Sequence, residues 1–209
     1  MQLALKRALD IVASVFLLIV MSPFLLALAI AVVLDSHGPV FFRQERVGRN
    51  GRRFLIWKYR TMVPGAVNDG LGIYTHAQDP RVTRVGRFLR RHSLDELPQL
   101  LNILAGEMSL VGPRPTLAYQ VDKYDATQRR RLLAPPGVTG WAQIHGRNRL
   151  TWPQRIEYDV WYVDHWSLGL DLQILFRSVG TVLRSEGIDN DGVPDAISEV
   201  DGATFGGRP

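Results

Sequence analysis

Asp95 and Glu96 stand side by side, preceded by Arg90 and Arg91 and followed by an arginine set between prolines in Gly112-Pro113-Arg114-Pro115. Adjacent carboxylates are hard oxygen ligands suited to magnesium, which is commonly held by one or two of them together with substrate phosphates. A carboxylate can also attack phosphorus and carry it as an aspartyl phosphate. The two prolines restrict the backbone around Arg114, so its planar fork is offered to a phosphate at low entropic cost. Each feature also has a plainer reading. Ser93 and Glu96 stand in capping-box register, which predicts a helix from Leu94 with both acids in its first turn as cap and dipole partners. Arg114, for its part, could hold a structural ion pair.

Other segments carry weaker chemistry. Arg81, Arg84, Arg87 and Arg90 recur every third residue among Val82, Val85, Phe88 and Leu89. This predicts a basic amphipathic helix fit to lie on anionic lipid or to line a phosphate channel, with lipid contact the preferred reading for the first three arginines. The glycine-punctuated stretch from Pro136 to Asn148 offers Trp141, Gln143, Arg147 and Asn148 as a cradle for a nucleobase, on spacing alone a weak signal. Trp152, Trp161, Tyr162 and Trp166 fit interfacial anchoring or core packing. With no cysteine and no ligand spacing among five histidines, thiol chemistry is excluded and a zinc site has no support. Neither a P-loop nor a dinucleotide fingerprint is present.

These residues need elements to position them. Ile11 to Leu34 contains no charge, and Ser22-Pro23 lies at its midpoint, so a kink or break is expected there. Lys6 and Arg7 precede the stretch, and Arg43, Arg46, Arg49, Arg52, Arg53, Lys58 and Arg60 follow it. Basic flanks at both ends favour a re-entrant hairpin over a kinked spanning helix, because both flanks then stay on the cytoplasmic side. The predicted organisation is a membrane hairpin over 1–35, a water-facing domain over 36–187 and an acidic, flexible tail over 188–209. The domain is expected to be mainly α-helical with one small β-hairpin. Its strands are Pro39–Phe42 and Phe54–Trp57, joined by Gly48-Arg49-Asn50-Gly51. Its helices are Val82–Arg91, Ser93–Leu104, Leu117–Leu133, Trp152–Val163 and Leu170–Leu183. The formal charge is +5, with six acids and one base beyond residue 184, so the body carries the basic surplus and calls for an anionic partner.

Together these segments resemble the bacterial sugar transferase family, the monotopic phosphoglycosyl transferases. The resemblance rests on the Ser22-Pro23 interruption, Trp57-Lys58-Tyr59-Arg60-Thr61-Met62, and Asp79-Pro80-Arg81-Val82-Thr83-Arg84-Val85-Gly86. It continues through Ser93-Leu94-Asp95-Glu96-Leu97-Pro98-Gln99-Leu100, Gly106 to Pro115, Pro136 to Asn148, and Tyr158-Asp159 to Asp171-Leu172. It implies transfer of a sugar-1-phosphate from a UDP-sugar to polyprenyl (undecaprenyl) phosphate on the cytoplasmic face of the bacterial inner membrane. By similarity Asp95 attacks the sugar-linked phosphate, expels UMP and carries a covalent phospho-sugar. Glu96 binds Mg2+, and Lys58, Arg90 and Arg114 neutralise phosphates, with Asp171 and Asp159 in support. The implied partners are the UDP-sugar, the polyprenyl phosphate and membrane phospholipid. Nucleic acid is not among them, and a homodimer is open on general frequency only.

Overall fold

The computed structural model describes residues 2–66, 79–146 and 149–183. Helices α1 (Gln2–Val20) and α2 (Ser22–Asp35) take up the uncharged stretch and are bent by 67° where they meet. Pro23 sits in the first turn of α2, where a missing N–H removes no helical hydrogen bond. The Ser22 hydroxyl donates to the Ile19 carbonyl at 2.8 Å, satisfying one of the groups freed by the break. The interruption expected at Ser22-Pro23 is thus present, and neither helix alone is long and apolar enough to cross a membrane.

Helix α1 is inverted relative to a helix on a water-facing surface. Its buried residues are Lys6, Asp10 and Ser14, one stripe at four-residue spacing, while Val12, Phe16, Ile19 and Val20 are exposed. Lys6, Asp10 and the part-buried Arg7 bond to the rest of the chain, whereas the Ser14 hydroxyl has no partner. Arg7 donates to the carbonyls of Ile103 and Leu104 at 2.5 and 3.0 Å, and Asp10 accepts the Leu110 N–H at 3.0 Å. The far end of the pair is tied to the same body. Tyr59 donates its hydroxyl to the Leu25 carbonyl at 2.9 Å, Arg60 donates to His37 and Ser36 carbonyls at 2.6 Å, and Asp35 accepts the Val85 N–H at 2.8 Å.

Strands β1 (Phe41–Val47) and β2 (Arg53–Tyr59) form the expected antiparallel hairpin, longer at both ends than predicted, with Phe41 opposite Tyr59 and Val47 opposite Arg53. Its turn uses Asn50 at φ 56° and Gly51 at φ 78°, as Asn-Gly chemistry requires. A second sheet was not expected. Strands β3 (Ser109–Val111) and β4 (Gly137–Thr139) pair in parallel. Three-residue strands carry no readable period, and the pairing depends on close backbone approach: a Cβ on Gly137 would fall 2.1 Å from the Gly112 nitrogen.

Helix α3 (Arg84–Arg91) opens on Thr83, whose side chain accepts the Gly86 N–H. The single helix expected over Ser93–Leu104 is instead a 3-10 turn, Leu94–Glu96, followed by α4 (Gln99–Ala105). Ser93 stands at φ 55° and makes no capping bond to that turn, so the expected Ser93–Glu96 capping box is not formed. A cap needs extended backbone at that position, whereas here the left-handed residue turns the chain sharply out of α3. The helix expected over Leu117–Leu133 is likewise three pieces: α5 (Ala118–Asp122), α6 (Ala126–Arg129) and the turn Arg130–Leu133. Asp125 caps α6 and restarts the chain. A short α7 (Trp141–Ile144) precedes α8 (Trp152–Asp164) and α9 (Leu168–Leu183), both close to expectation. Phe54 and Ile56 of the hairpin pack on Leu100, Ile103 and Met108, with Leu17 and Leu18 of α1 over them. Leu89 of α3 packs on Leu28 and Val32 of α2 beside Tyr59. The described residues are therefore mainly helical; the tail at 188–209 lies outside them.

Candidate active site

Two separate elements converge on Glu96. Lys58 on β2 donates to Oε1 at 2.7 Å, and Arg114 in the loop after β3 forks onto both oxygens, at 2.6 Å to Oε1 and 3.2 Å to Oε2. Burial alone would push Glu96 up, but Arg114 and Lys58 outweigh it and hold the carboxyl far below the usual carboxylate range. Glu96 in turn holds the Arg114 guanidinium above its ordinary value. The neighbouring Asp95 is different. It is nine-tenths buried and no hydrogen bond to its carboxylate is formed by the described residues. Burial pushes its pKa up, Lys58 opposes that, Glu96 adds to it, and Arg90 and Arg114 oppose it. Arg90, itself lowered by burial, is held by donation from Nε to the Thr61 hydroxyl at 2.8 Å.

The supporting residues act at a remove. Asp159 on α8 forms a buried ion pair with Arg131, which also donates to the Arg114 carbonyl at 2.9 Å and to the Tyr124 hydroxyl. Asp159 thus steadies the backbone from which Arg114 projects. Asp171 on α9 accepts from Lys6 at 2.6 Å, the Tyr162 hydroxyl at 2.7 Å and the Trp166 indole at 3.1 Å. Lys6 also donates to the Val111 carbonyl at 3.0 Å, three residues before Arg114. Asp171 therefore fixes β3 and α1 together and has no direct bond to Asp95 or Glu96.

One expectation is corrected. Arg81 does not face lipid: it is buried in a forked ion pair with Asp79, at 2.8 and 3.0 Å, because the chain before Thr83 is loop and not helix. Arg84 and Arg87 do remain exposed, around the half-exposed Phe88. Trp141 stacks on Trp161 at 4.6 Å and lies 4.1 Å from the His145 ring. Beside it, neither polar atom of the buried Gln143 amide has a hydrogen-bond partner. Arg147 and Asn148 lie outside the described residues. Sequence reasoning also missed residues that set the geometry. Asn102 on α4 accepts the Trp57 N–H at 2.9 Å and donates to the Leu55 carbonyl at 2.8 Å, which fixes β2 and hence Lys58 against the Asp95 turn. Its only signal was a second amide, three residues after Gln99, among the apolar residues of that helix.

A profile of the bacterial sugar transferase family matches residues 1–185. The chain belongs to that family. It is 47% identical over 184 residues to the uncharacterized sugar transferase EpsL of Bacillus subtilis (strain 168), covering 88% of this chain and 90% of EpsL. It is 42% identical over 197 residues to the undecaprenyl-phosphate galactose phosphotransferase of Salmonella typhimurium, covering 88% of this chain and 41% of that protein. It is 44% identical over 183 residues to the UDP-glucose:undecaprenyl-phosphate glucose-1-phosphate transferase of Escherichia coli (strain K12), covering 84% of this chain and 39% of that protein. The chain thus spans nearly the whole of EpsL but only about two-fifths of these two named enzymes.

Within this bacterial sugar transferase, the oxygens open to a hard cation are those of Asp95 and the less engaged Oε2 of Glu96. Among the described residues no three His, Asp or Glu side chains gather in a metal-binding group.

Proposed function

We propose that the chain transfers a sugar-1-phosphate from a UDP-linked sugar to undecaprenyl or another polyprenyl phosphate, through a phospho-sugar held on Asp95. The observation that carries the reading is the contrast within one turn. Glu96 is clamped by two cations, while Asp95 is buried, uncommitted and surrounded by Lys58, Arg90 and Arg114. A carboxylate stripped of water and of hydrogen bonds is a competent nucleophile once a substrate's phosphate is brought in line. An Asp95 oxygen attacks the sugar-linked phosphorus, and the bond to the nucleotide's phosphate oxygen breaks, releasing UMP. The lipid phosphate's oxygen then attacks the same phosphorus and returns the electron pair to Asp95. Such transfer needs alignment and charge neutralisation more than acid–base groups, and Lys58, Arg90 and Arg114 supply both.

A magnesium ion suits the donor set, since the Asp95 carboxylate and the Glu96 Oε2, which accepts a single bond from Arg114, are adjacent hard oxygen ligands that leave the remaining positions to phosphates, as this ion prefers. Asp95 and Glu96 would hold it, and it would neutralise charge developing on the transferred phosphoryl group.

The helix pair α1–α2 is re-entrant in this reading. Support comes from its two ends, since Lys6, Arg7 and Asp10 at one and Asp35 and Ser36 at the other bond to one water-facing body. The site then lies at headgroup depth on the cytoplasmic face of the bacterial inner membrane. Arg84, Arg87 and Phe88 are available there to phospholipid. The test is intact mass of protein in nanodiscs, given magnesium and a panel of UDP-sugars without acceptor. A sugar-phosphate adduct is expected in the wild type and not in Asp95→Asn. Full turnover by Asp95→Asn would refute the covalent assignment.

A further inference from the structure

Arg46 belongs to no role described so far. Phe42, Gln44 and Arg46 alternate along β1 and pair with Lys58, Ile56 and Phe54 on β2, so all six side chains share one face of the hairpin. That face already presents Lys58 to Glu96. The residue after Arg46 donates its backbone N–H to the Thr116 carbonyl at 2.8 Å, which draws the end of β1 against the Pro113-Arg114-Pro115 segment. Arg46 is thereby brought near enough to Arg114 and Glu96 to feel the charge of both. Burial pushes Arg46 down to about 10, with Arg114 adding to the effect and Glu96 opposing it.

Arg46 is also short of partners. A guanidinium carries five N–H donors. The buried Arg131 and Arg60 also leave Nε unpartnered, but each commits both terminal nitrogens to protein acceptors. Arg46 makes one such bond, from Nη2 to the Gln44 amide oxygen at 2.6 Å, and its Nε is buried with no partner. Its one nearby carboxylate, Glu96, is already forked by Arg114. Among the described residues, Lys58, Arg90, Arg114 and Arg46 thus stand against Asp95 and Glu96, the neighbouring Asp79 and Asp159 being paired with Arg81 and Arg131. An anion with two charges would balance this cluster and relieve the repulsion between the two arginines.

We propose that Arg46 is a phosphate-binding residue of this site, which with Arg114 holds a substrate phosphate that is not the one attacked by Asp95. The inference rests on the proposed function only for the identity of that phosphate. It belongs either to the departing nucleotide of the donor or to the lipid acceptor, and both present the same tetrahedral oxyanion.

The test uses the full chain in nanodiscs as wild type, Arg46→Gln, Arg46→Lys and, as control, Arg53→Gln, a surface position on the same hairpin. Thermal midpoints are first read against inorganic pyrophosphate. Stabilisation is expected in wild type and control, with loss in Arg46→Gln and partial return in Arg46→Lys. Steady-state kinetics then separate the sources. Loss of charge-assisted bonds should raise KM by roughly 10- to 100-fold for one substrate, with kcat little changed. A rise for the UDP-sugar assigns the donor phosphate, and a rise for the polyprenyl phosphate assigns the acceptor. Unchanged pyrophosphate stabilisation and unchanged KM for both substrates in Arg46→Gln would overturn the proposal. If that variant does not fold, Arg46→Lys decides, because it keeps charge and loses the fork; wild-type KM values there overturn it equally. Wild-type protein inactive on every donor, with pyrophosphate binding still dependent on Arg46, would remove the proposed reaction and leave this anion site standing.

Discussion

Glu96→Gln replaces the one charge on which Lys58 and Arg114 both close while keeping an amide oxygen that can accept one of their three hydrogen bonds. Removing one partner of a fully buried ion pair costs about 3–5 kcal/mol. Two features reduce that here. The Arg114 side chain is 46% exposed, so solvent screens its share, and Lys58 at 19% keeps Asp95 as a second anion. A loss of about 2 kcal/mol remains, which for a chain of this size lowers the melting midpoint by roughly 4–8 °C. The pH dependence gives the sharper check. Glu96 is held below its unfolded value of 4.5, so its contribution is complete above that pH and is lost as pH falls toward the lower folded value. Wild type and Glu96→Gln should therefore differ fully at pH 7 and converge progressively below about pH 4.5. Midpoints measured at one scan rate in one detergent, from pH 7 to pH 3.5, decide the matter. A gap that stays constant across that range, or is absent at pH 7, refutes the electrostatic account of this turn.

Two further outcomes are expected. Lys6→Met leaves Asp171 buried without its cation and frees the Val111 carbonyl, so it should destabilise by about 3 kcal/mol and lower kcat through displacement of the Arg114 loop. Lys6→Met with Asp171→Leu should restore stability but not kcat, whereas restoration of both would show that Lys6 has no positioning role. Pro23→Leu allows the helix to continue through the break. Because the chain has no cysteine, a single cysteine introduced at Gln2 reports the side on which the N-terminus lies. Shielding from a membrane-impermeant reagent on the cytoplasmic side is expected to rise, and unchanged labelling would mean that Ser22 and the tethered ends suffice for the bend.

The site's reactive residues were legible because they sit in short motifs whose local chemistry is self-contained. Asp95-Glu96 and Pro113-Arg114-Pro115 declare themselves by adjacency and by backbone restriction, and Asn50-Gly51 declares its turn by tolerance of positive φ. Helices α8 and α9 were legible from composition and stop signals, and the Ser22-Pro23 interruption from a missing donor. Ser93 misled because an ideal capping spacing says nothing of the left-handed φ that the chain reversal imposes there. Arg81 misled because three-residue periodicity cannot reveal that Asp79 claims its charge.

What tertiary structure alone decided is which charge meets which. Lys6 and Asp171 are 165 positions apart, and Arg131 and Asp159 are 28 apart, yet each pair is buried and each steadies the approach to Arg114. The parallel pairing of β3 with β4 and the docking of the end of β1 against the Arg114 loop have no local signal either. Propensity, turn chemistry and periodicity act over a few residues, so the sequence by itself determines elements and reactive types. A buried charge needs a partner wherever the packed chain can supply one, so the Lys58–Glu96–Arg114 clamp, and the uncommitted state of Asp95 beside it, exist only once β2, the Leu94–Glu96 turn and the Arg114 loop have come together.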